Sequence, residues 1–202
     1  MYIVCSDLEG VFVPEIWVNV ARHTGIDELK LTTRDISDYN VLMSRRLEIL
    51  KRHRLTIHDI RHVISYIKPL PGAVEFIYWL QTRVQLMVVS DTYEEFADPL
   101  MEKLGRPTLL CNNLSIDHLG NITGYNLRQQ DGKMRVAEAL QSLNYKVIAI
   151  GDSYNDLNML NKADLGILYR PPQNIIDENP GLMVVNSYEE LRSRIENCLE
   201  KG

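Results

Sequence analysis

The chain has 202 residues, 45% hydrophobic and 24% charged, with a formal charge of −5, the profile of a globular protein that can bury its own core. That balance excludes a global basic field for nucleic acid or an anionic membrane, and no apolar stretch reaches the roughly 18 residues needed for a membrane span. Cys5, Cys111 and Cys198 are odd in number and form no paired motif, and the N-terminus lacks a basic-then-apolar leader, so a reducing, cytoplasmic setting is expected.

In chain order, Tyr2 to Asp7 (YIVCSD) is a short apolar run ending in an acid, followed at once by Leu8-Glu9-Gly10. A long stretch without a strand-like run comes next. Within it, Leu42, Met43, Leu47, Ile49 and Leu50 form a helical apolar arc with Arg46 in its middle and Arg45 at its edge. Thr56 and Asp59 form a capping box for a helix striped by Ile57, Ile60, Val63, Ile64 and Ile67. Lys68-Pro69-Leu70-Pro71-Gly72 then reads as a turn or hinge. The organisation predicted is a core of residues 1–13 and 72–202, with 14–71 as a helical cap.

Val84 to Asp91 (VQLMVVSD) and Lys146 to Asp152 (KVIAIGD) repeat the first run's pattern, and Leu165 to Tyr169 and Leu182 to Val185 are weaker cases. Such β-branched runs with helices between them indicate a parallel sheet covered on both faces, here an α/β, Rossmann-like doubly wound fold. Leu109 to Leu127, centred on Asp117-His118-Leu119-Gly120-Asn121, is expected to be a small β-hairpin. Thr92 and Glu95 are expected to cap the helix after the second run. Ligands in these sheets bind beyond the carboxyl ends of the strands, where Asp7, Asp91 and Asp152 converge.

Several residues carry candidate chemistry. Asp7 and Glu9 can divide labour as nucleophile and general acid/base, although two solvated acids in a loop give the same pattern. Ser153 and Asp156 suffice as a capping box, which leaves Asp152 unexplained; Asp7 and Asp152 on adjacent strand ends suit the oxygen-rich shell of magnesium. Ser90 precedes a helix start, a ready phosphate site. Lys133, in a first helical turn, opposes the macrodipole and is either a solvated lysine or a cation for a phosphoryl group. Arg46 either snorkels or faces a cavity carboxylate, and Glu15 suits a helix start on dipole grounds alone. His58 and His62 have zinc-pair spacing, but no third ligand accompanies them.

Asp7-Leu8-Glu9-Gly10-Val11, Ser90, Lys133 and Gly151-Asp152-Ser153-Tyr154-Asn155-Asp156, in this order, resemble the four motifs of haloacid dehalogenase superfamily phosphatases. The helical insert resembles the C1 cap of the phosphoserine phosphatase branch, in which an arginine follows an aromatic by seven residues, as Arg46 follows Tyr39. Glu9 in place of the usual aspartate is similar to the branch's bifunctional phosphoserine phosphatase/homoserine phosphotransferase members.

That resemblance implies an aspartyl-phosphate on Asp7, with Mg²⁺ held by Asp7, the Glu9 carbonyl and Asp152. It implies Glu9 as general acid/base and Ser90 and Lys133 on the phosphoryl oxygens, with Asp91 and Asn155 as further substrate-binding residues. Asp156 would orient Lys133, while Glu15 and Arg46 would hold the ammonium and carboxylate of O-phosphoserine. The acceptor would be water or homoserine. A homodimer is compatible with these features and not required by them. A phosphatase for another small phosphomonoester and a silent phospholigand-binding protein are the competing readings.

Overall fold

The computed structural model describes residues 1–32, 35, 36 and 38–200. Strand β1 (Tyr2–Ser6) is central in a seven-stranded sheet. The other strands are β2 (Gln85–Tyr93), β3 (Thr108–Ile116), β4 (Ile122–Asn126), β5 (Lys146–Gly151), β6 (Leu165–Tyr169) and β7 (Met183–Val185). Their order is β4-β3-β2-β1-β5-β6-β7, and every pair is parallel except β3 with β4. The sheet therefore grows in one direction through β2 and β3, and in the other through β5. This reversal beside β1 opens a crevice at its carboxyl end.

The apolar runs of β1 and β5 are continuous because these strands are buried on both faces. Val4, Ile148 and Ile150 belong to the larger core cluster, whereas Ile3, Cys5, Val147 and Ala149 belong to a second one on the opposite face. Helices α4 (Ala73–Gln81), α5 (Glu94–Lys103), α6 (Gly132–Ser142), α7 (Leu157–Lys162), α8 (Gln173–Glu178) and α9 (Tyr188–Glu200) follow or separate these strands. The expected hairpin is β3–β4, closed by Asp117, whose carboxylate accepts from the Leu119 and Asn121 amides at 2.9 Å. No helix among the described residues is long and apolar enough to cross a membrane.

Between β1 and α4 the chain forms α1 (Ile16–Thr24), a 3₁₀ turn at Asp27–Lys30, α2 (Tyr39–Arg52) and α3 (Ile57–Tyr66). The Thr56–Asp59 capping box is present, and the Ile57 amide donates to Gly120 O at 2.9 Å, so α3 starts against the hairpin tip. The segments entering and leaving this helical stretch are tied together, with Leu70 N donating to Phe12 O at 2.8 Å. From the far end of the chain, the Tyr188 hydroxyl donates to Val11 O at 2.6 Å while its ring stacks on Phe76.

Candidate active site

Asp7 follows β1 and still donates its amide to Ile150 O on β5 at 2.9 Å. The chain then turns sharply: Phe12 N and Val13 N both donate to Leu8 O, and Gly10 N donates to Val13 O. Gly10 sits at φ +76°, and a Cβ there would lie 2.2 Å from Asp152 Oδ2. Only glycine lets the Asp152 carboxylate rest against this turn beside Asp7. Gly151 does the same for Asp156, since a Cβ would come within 2.4 Å of that side chain.

Asp7, Asp152 and Asp156 each place an oxygen within 4.8 Å of the others. Lys133 Nζ lies 3.0 Å from Asp7 Oδ1, 2.7 Å from Asp156 Oδ1 and 3.8 Å from Asp91 Oδ2. The lysine that sequence left undecided is thus buried, in a first helical turn, against three acids. Burial opposes its charge, but Asp156, Asp7 and Asp91 outweigh that and hold its pKa well above the ordinary lysine value. Burial, with help from Asp156, Asp152 and Asp91, pushes the Asp7 carboxyl well up, against the pull of Lys133.

Asp156 Oδ2 accepts the Asp152 and Ser153 amides at 3.0 Å each, and Oδ1 is taken by Lys133. Its oxygens are committed. Asp7 and Asp152 are then the pair suited to a hard divalent cation.

The crevice wall comes from β2. Ser90 is buried and its Oγ accepts the Thr92 amide at 3.3 Å. Here the expected capping box fails: β2 continues to Tyr93, and α5 starts at Glu94 with no side-chain cap. Glu95 is instead drawn away, its Oε2 accepting the Leu114 amide of β3 at 2.9 Å. A tertiary partner outcompetes the local one. Asp91 and Asn155 meet across the crevice through Asn155 Nδ2 and Asp91 Oδ2 at 2.8 Å.

The same cavity is lined by Glu9 and Glu15, which precede α1, and by Arg46 of α2. Glu9 Oε2 accepts the Ile16 amide at 2.7 Å, the first amide of α1. Burial and then the charge of Glu15 push the Glu9 carboxyl up to about 8, against the Ile16 hydrogen bond, Arg46 and Lys133. Glu15 is at the capping position of α1 without making a side-chain cap bond.

Arg46 is buried, whereas Arg45 is exposed. Its guanidinium carbon lies 4.5 Å from the Trp17 ring centroid, Nη2 donates to Leu31 O at 2.8 Å, and Nη1 approaches Met43 Sδ at 3.6 Å. Among the described residues, Nε is buried without a hydrogen-bond partner. An arginine donor in that state fits an anionic ligand.

The ten residues that the resemblance assigned to the site gather here, and all but Asp156 line one cavity of about 1060 Å³. Sequence reasoning missed three of its residues. Trp17 supports Arg46, and its signal was only an aromatic on the apolar face of α1. Tyr93 bonds the Tyr39 hydroxyl at 2.6 Å, joining α2 to the sheet. Asn112, buried on β3, donates to Asp91 O at 3.2 Å and accepts the Arg128 amide at 3.0 Å. Nothing local marked Asn112.

A family model for haloacid dehalogenase-like hydrolases matches residues 18–161, a span that includes Arg46, Ser90, Lys133 and Asp152. The chain is 55% identical over 192 residues to the phosphoserine phosphatase ThrH of Pseudomonas aeruginosa, covering 95% of this chain and 94% of that protein. A phosphoserine phosphatase of Pseudomonas syringae is 53% identical, over 94% of this chain and 80% of its own. Among solved structures, a phospho-aspartyl intermediate analogue of phosphoserine phosphatase superposes with a TM-score of 0.76 at 22% identity, covering 96% of this chain and 98% of that one. A substrate-bound phosphoserine phosphatase complex gives 0.76 at 21% identity, with 96% and 97% coverage. At those identities the structures speak for the fold, while the two pseudomonad relatives and the matched family speak for descent. The chain belongs to the haloacid dehalogenase-like hydrolases, in their phosphoserine phosphatase branch.

Proposed function

We propose that this protein is a Mg²⁺-dependent phosphoserine phosphatase working through an aspartyl-phosphate, with residues 14–71 as a cap over the site. The observation that carries this reading is one cavity lined both by the buried Asp7–Lys133 pair and by Glu15 and Arg46. The first pair suits a phosphoryl group, and the second suits an ammonium and a carboxylate. An amino-acid phosphate satisfies both.

In this reading an Asp7 oxygen attacks phosphorus as the bond to the seryl oxygen breaks, and Glu9 gives its proton to that oxygen. Water then attacks the aspartyl-phosphate and gives a proton back to Glu9, restoring the Asp7 carboxylate and releasing phosphate. Lys133 and Ser90 bind the phosphoryl oxygens, Asn155 and Asp91 help fix the substrate, and Asp156 holds Lys133 in place. Asp7, the Glu9 carbonyl and Asp152 would hold Mg²⁺, which when bound supplies positive charge beside the phosphoryl group. The acceptor need not be water. A cavity of about 1060 Å³ is at the upper end for a drug-sized ligand and leaves room for homoserine beside the aspartyl-phosphate.

Phosphate release from O-phosphoserine with Mg²⁺ tests this. Asp7→Asn should cost on the order of a thousandfold or more. Arg46→Ala should damage turnover of phosphoserine far more than that of p-nitrophenyl phosphate. An unchanged rate in Asp7→Asn removes the nucleophile, and equal losses in Arg46→Ala remove the carboxylate contact. Adding homoserine should divert phosphate into phosphohomoserine, and a panel of other phosphomonoesters should be turned over more slowly than phosphoserine.

A further inference from the structure

Glu15 occupies the capping position of α1 but makes no side-chain cap bond, so another group must satisfy the first helical amide. That group is Glu9, seven residues before Ile16 and on the other side of the Gly10 turn, with Oε2 2.7 Å from Ile16 N. Only one of its two carboxylate oxygens is used in this way among the described residues, and Glu9 also lines the cavity. An aspartate at position 9 would be one methylene short of this reach. A carboxylate at a helix N-terminus is held by a charge-assisted hydrogen bond and by the dipole together.

Taking Glu9 as the general acid of the reaction proposed above, we infer that the Ile16 amide is its positioning group: it fixes Oε2, directs the carboxyl proton to Oε1, and ties the acid's placement to helix α1. Oε2 accepts from Ile16 N–H, so the carbonyl-like oxygen of the protonated carboxyl is Oε2 and the hydroxyl is Oε1. As the P–O bond to the leaving alcohol breaks, Oε1–H passes its proton to the departing oxygen and Glu9 becomes a carboxylate. The attacking water, or an alcohol, returns a proton to Oε1. The acid is in register only while α1 is seated, because the bond runs from the start of the helical insert to the turn after β1.

Ile16 is the first residue of α1, where proline is tolerated and lacks the amide hydrogen. Glu15, at φ −48° and ψ 118°, already has the extended backbone that a following proline requires. Ile16→Pro therefore removes the donor and keeps the helix. A backbone ester at position 16, built with the α-hydroxy analogue of isoleucine, removes the same hydrogen and keeps the buried side chain. Ile16→Ala keeps the hydrogen and loses the side chain.

From phosphoserine the leaving group is the basic alkoxide of serine, which needs the proton, whereas p-nitrophenolate leaves without it. Ile16→Pro and the ester should each lower kcat on phosphoserine by about 10- to 100-fold with KM little changed, and alter p-nitrophenyl phosphate by less than about 3-fold. Ile16→Ala should affect both substrates alike. Glu9→Gln separates this inference from the reading beneath it. Selective loss in Glu9→Gln without selective loss in Ile16→Pro and the ester overturns the positioning role of Ile16 alone. Uniform loss in Glu9→Gln overturns the general-acid reading and the inference with it.

Discussion

Replacing Asp156 by asparagine keeps the shape of a fully buried side chain and changes only what its atoms can accept. Oδ1 accepts from Lys133 Nζ at 2.7 Å, and Oδ2 accepts from two amides at 3.0 Å and from Ser153 Oγ at 3.3 Å. An amide has one oxygen. If it faces Lys133, the new NH₂ points at two backbone N–H groups; if it faces them, the NH₂ points at the ammonium. Either arrangement loses at least one charge-assisted bond, about 1.5–3 kcal/mol, and leaves buried donors opposed, about 1–3 kcal/mol.

The total expected is about 3–5 kcal/mol, in the range for breaking a buried ion pair from one side. In a chain of this size that is a fall in Tm of roughly 6–20 °C. Thermal and urea unfolding in EDTA measure it without any contribution from metal. Activity should fall as well, because Lys133 would lose a partner that holds it beside Asp7. A change below about 1 kcal/mol would refute the claim that Asp156 is the anchor of this network.

Two further outcomes follow from the turn after β1. Gly10→Ala should strain a left-handed backbone and push Asp152 off its place, so the Mg²⁺ concentration needed for half-maximal activity should rise by about tenfold or more. An unchanged metal dependence would show that the close approach of Gly10 to Asp152 is incidental. The second concerns pH. Glu9, pushed up to about 8, keeps its proton below that value and loses it above, so the phosphorylation step should slow as pH rises through about 8. Rapid-quench measurement of seryl release would show that alkaline limb in the wild type. If the limb persists in Glu9→Gln, some other group sets it.

Much of this was legible because each strand solves a local problem in an obvious way. Runs such as KVIAIGD are apolar throughout because both faces are covered, and their terminal acids mark the crevice. Arg46 could be read because a cation inside an apolar arc has few explanations. Other features depend on partners far away in sequence. Glu95 fits a capping box by spacing, yet the Leu114 amide takes it. The choice between a solvated and a buried Lys133 was settled by Asp7 and Asp156, which no window around residue 133 contains. Trp17 and Asn112 work only through what they touch after folding. Local chemistry named the candidate groups; tertiary contacts decided how they are aimed.

The hydrogen bond from Tyr188 to Val11 O has a consequence for how the enzyme is made. It spans 177 residues, so it closes a loop of nearly the whole chain. Contacts this remote in sequence form late, after the strands between them have paired. A ribosome would therefore present the Asp7–Gly10 turn long before its brace exists, and the turn would acquire that brace only once the last helix had emerged. A nascent chain arrested short of Tyr188 should show the Val11 segment more open to proteolysis than the released protein, and equal protection in the two would count against such a delay.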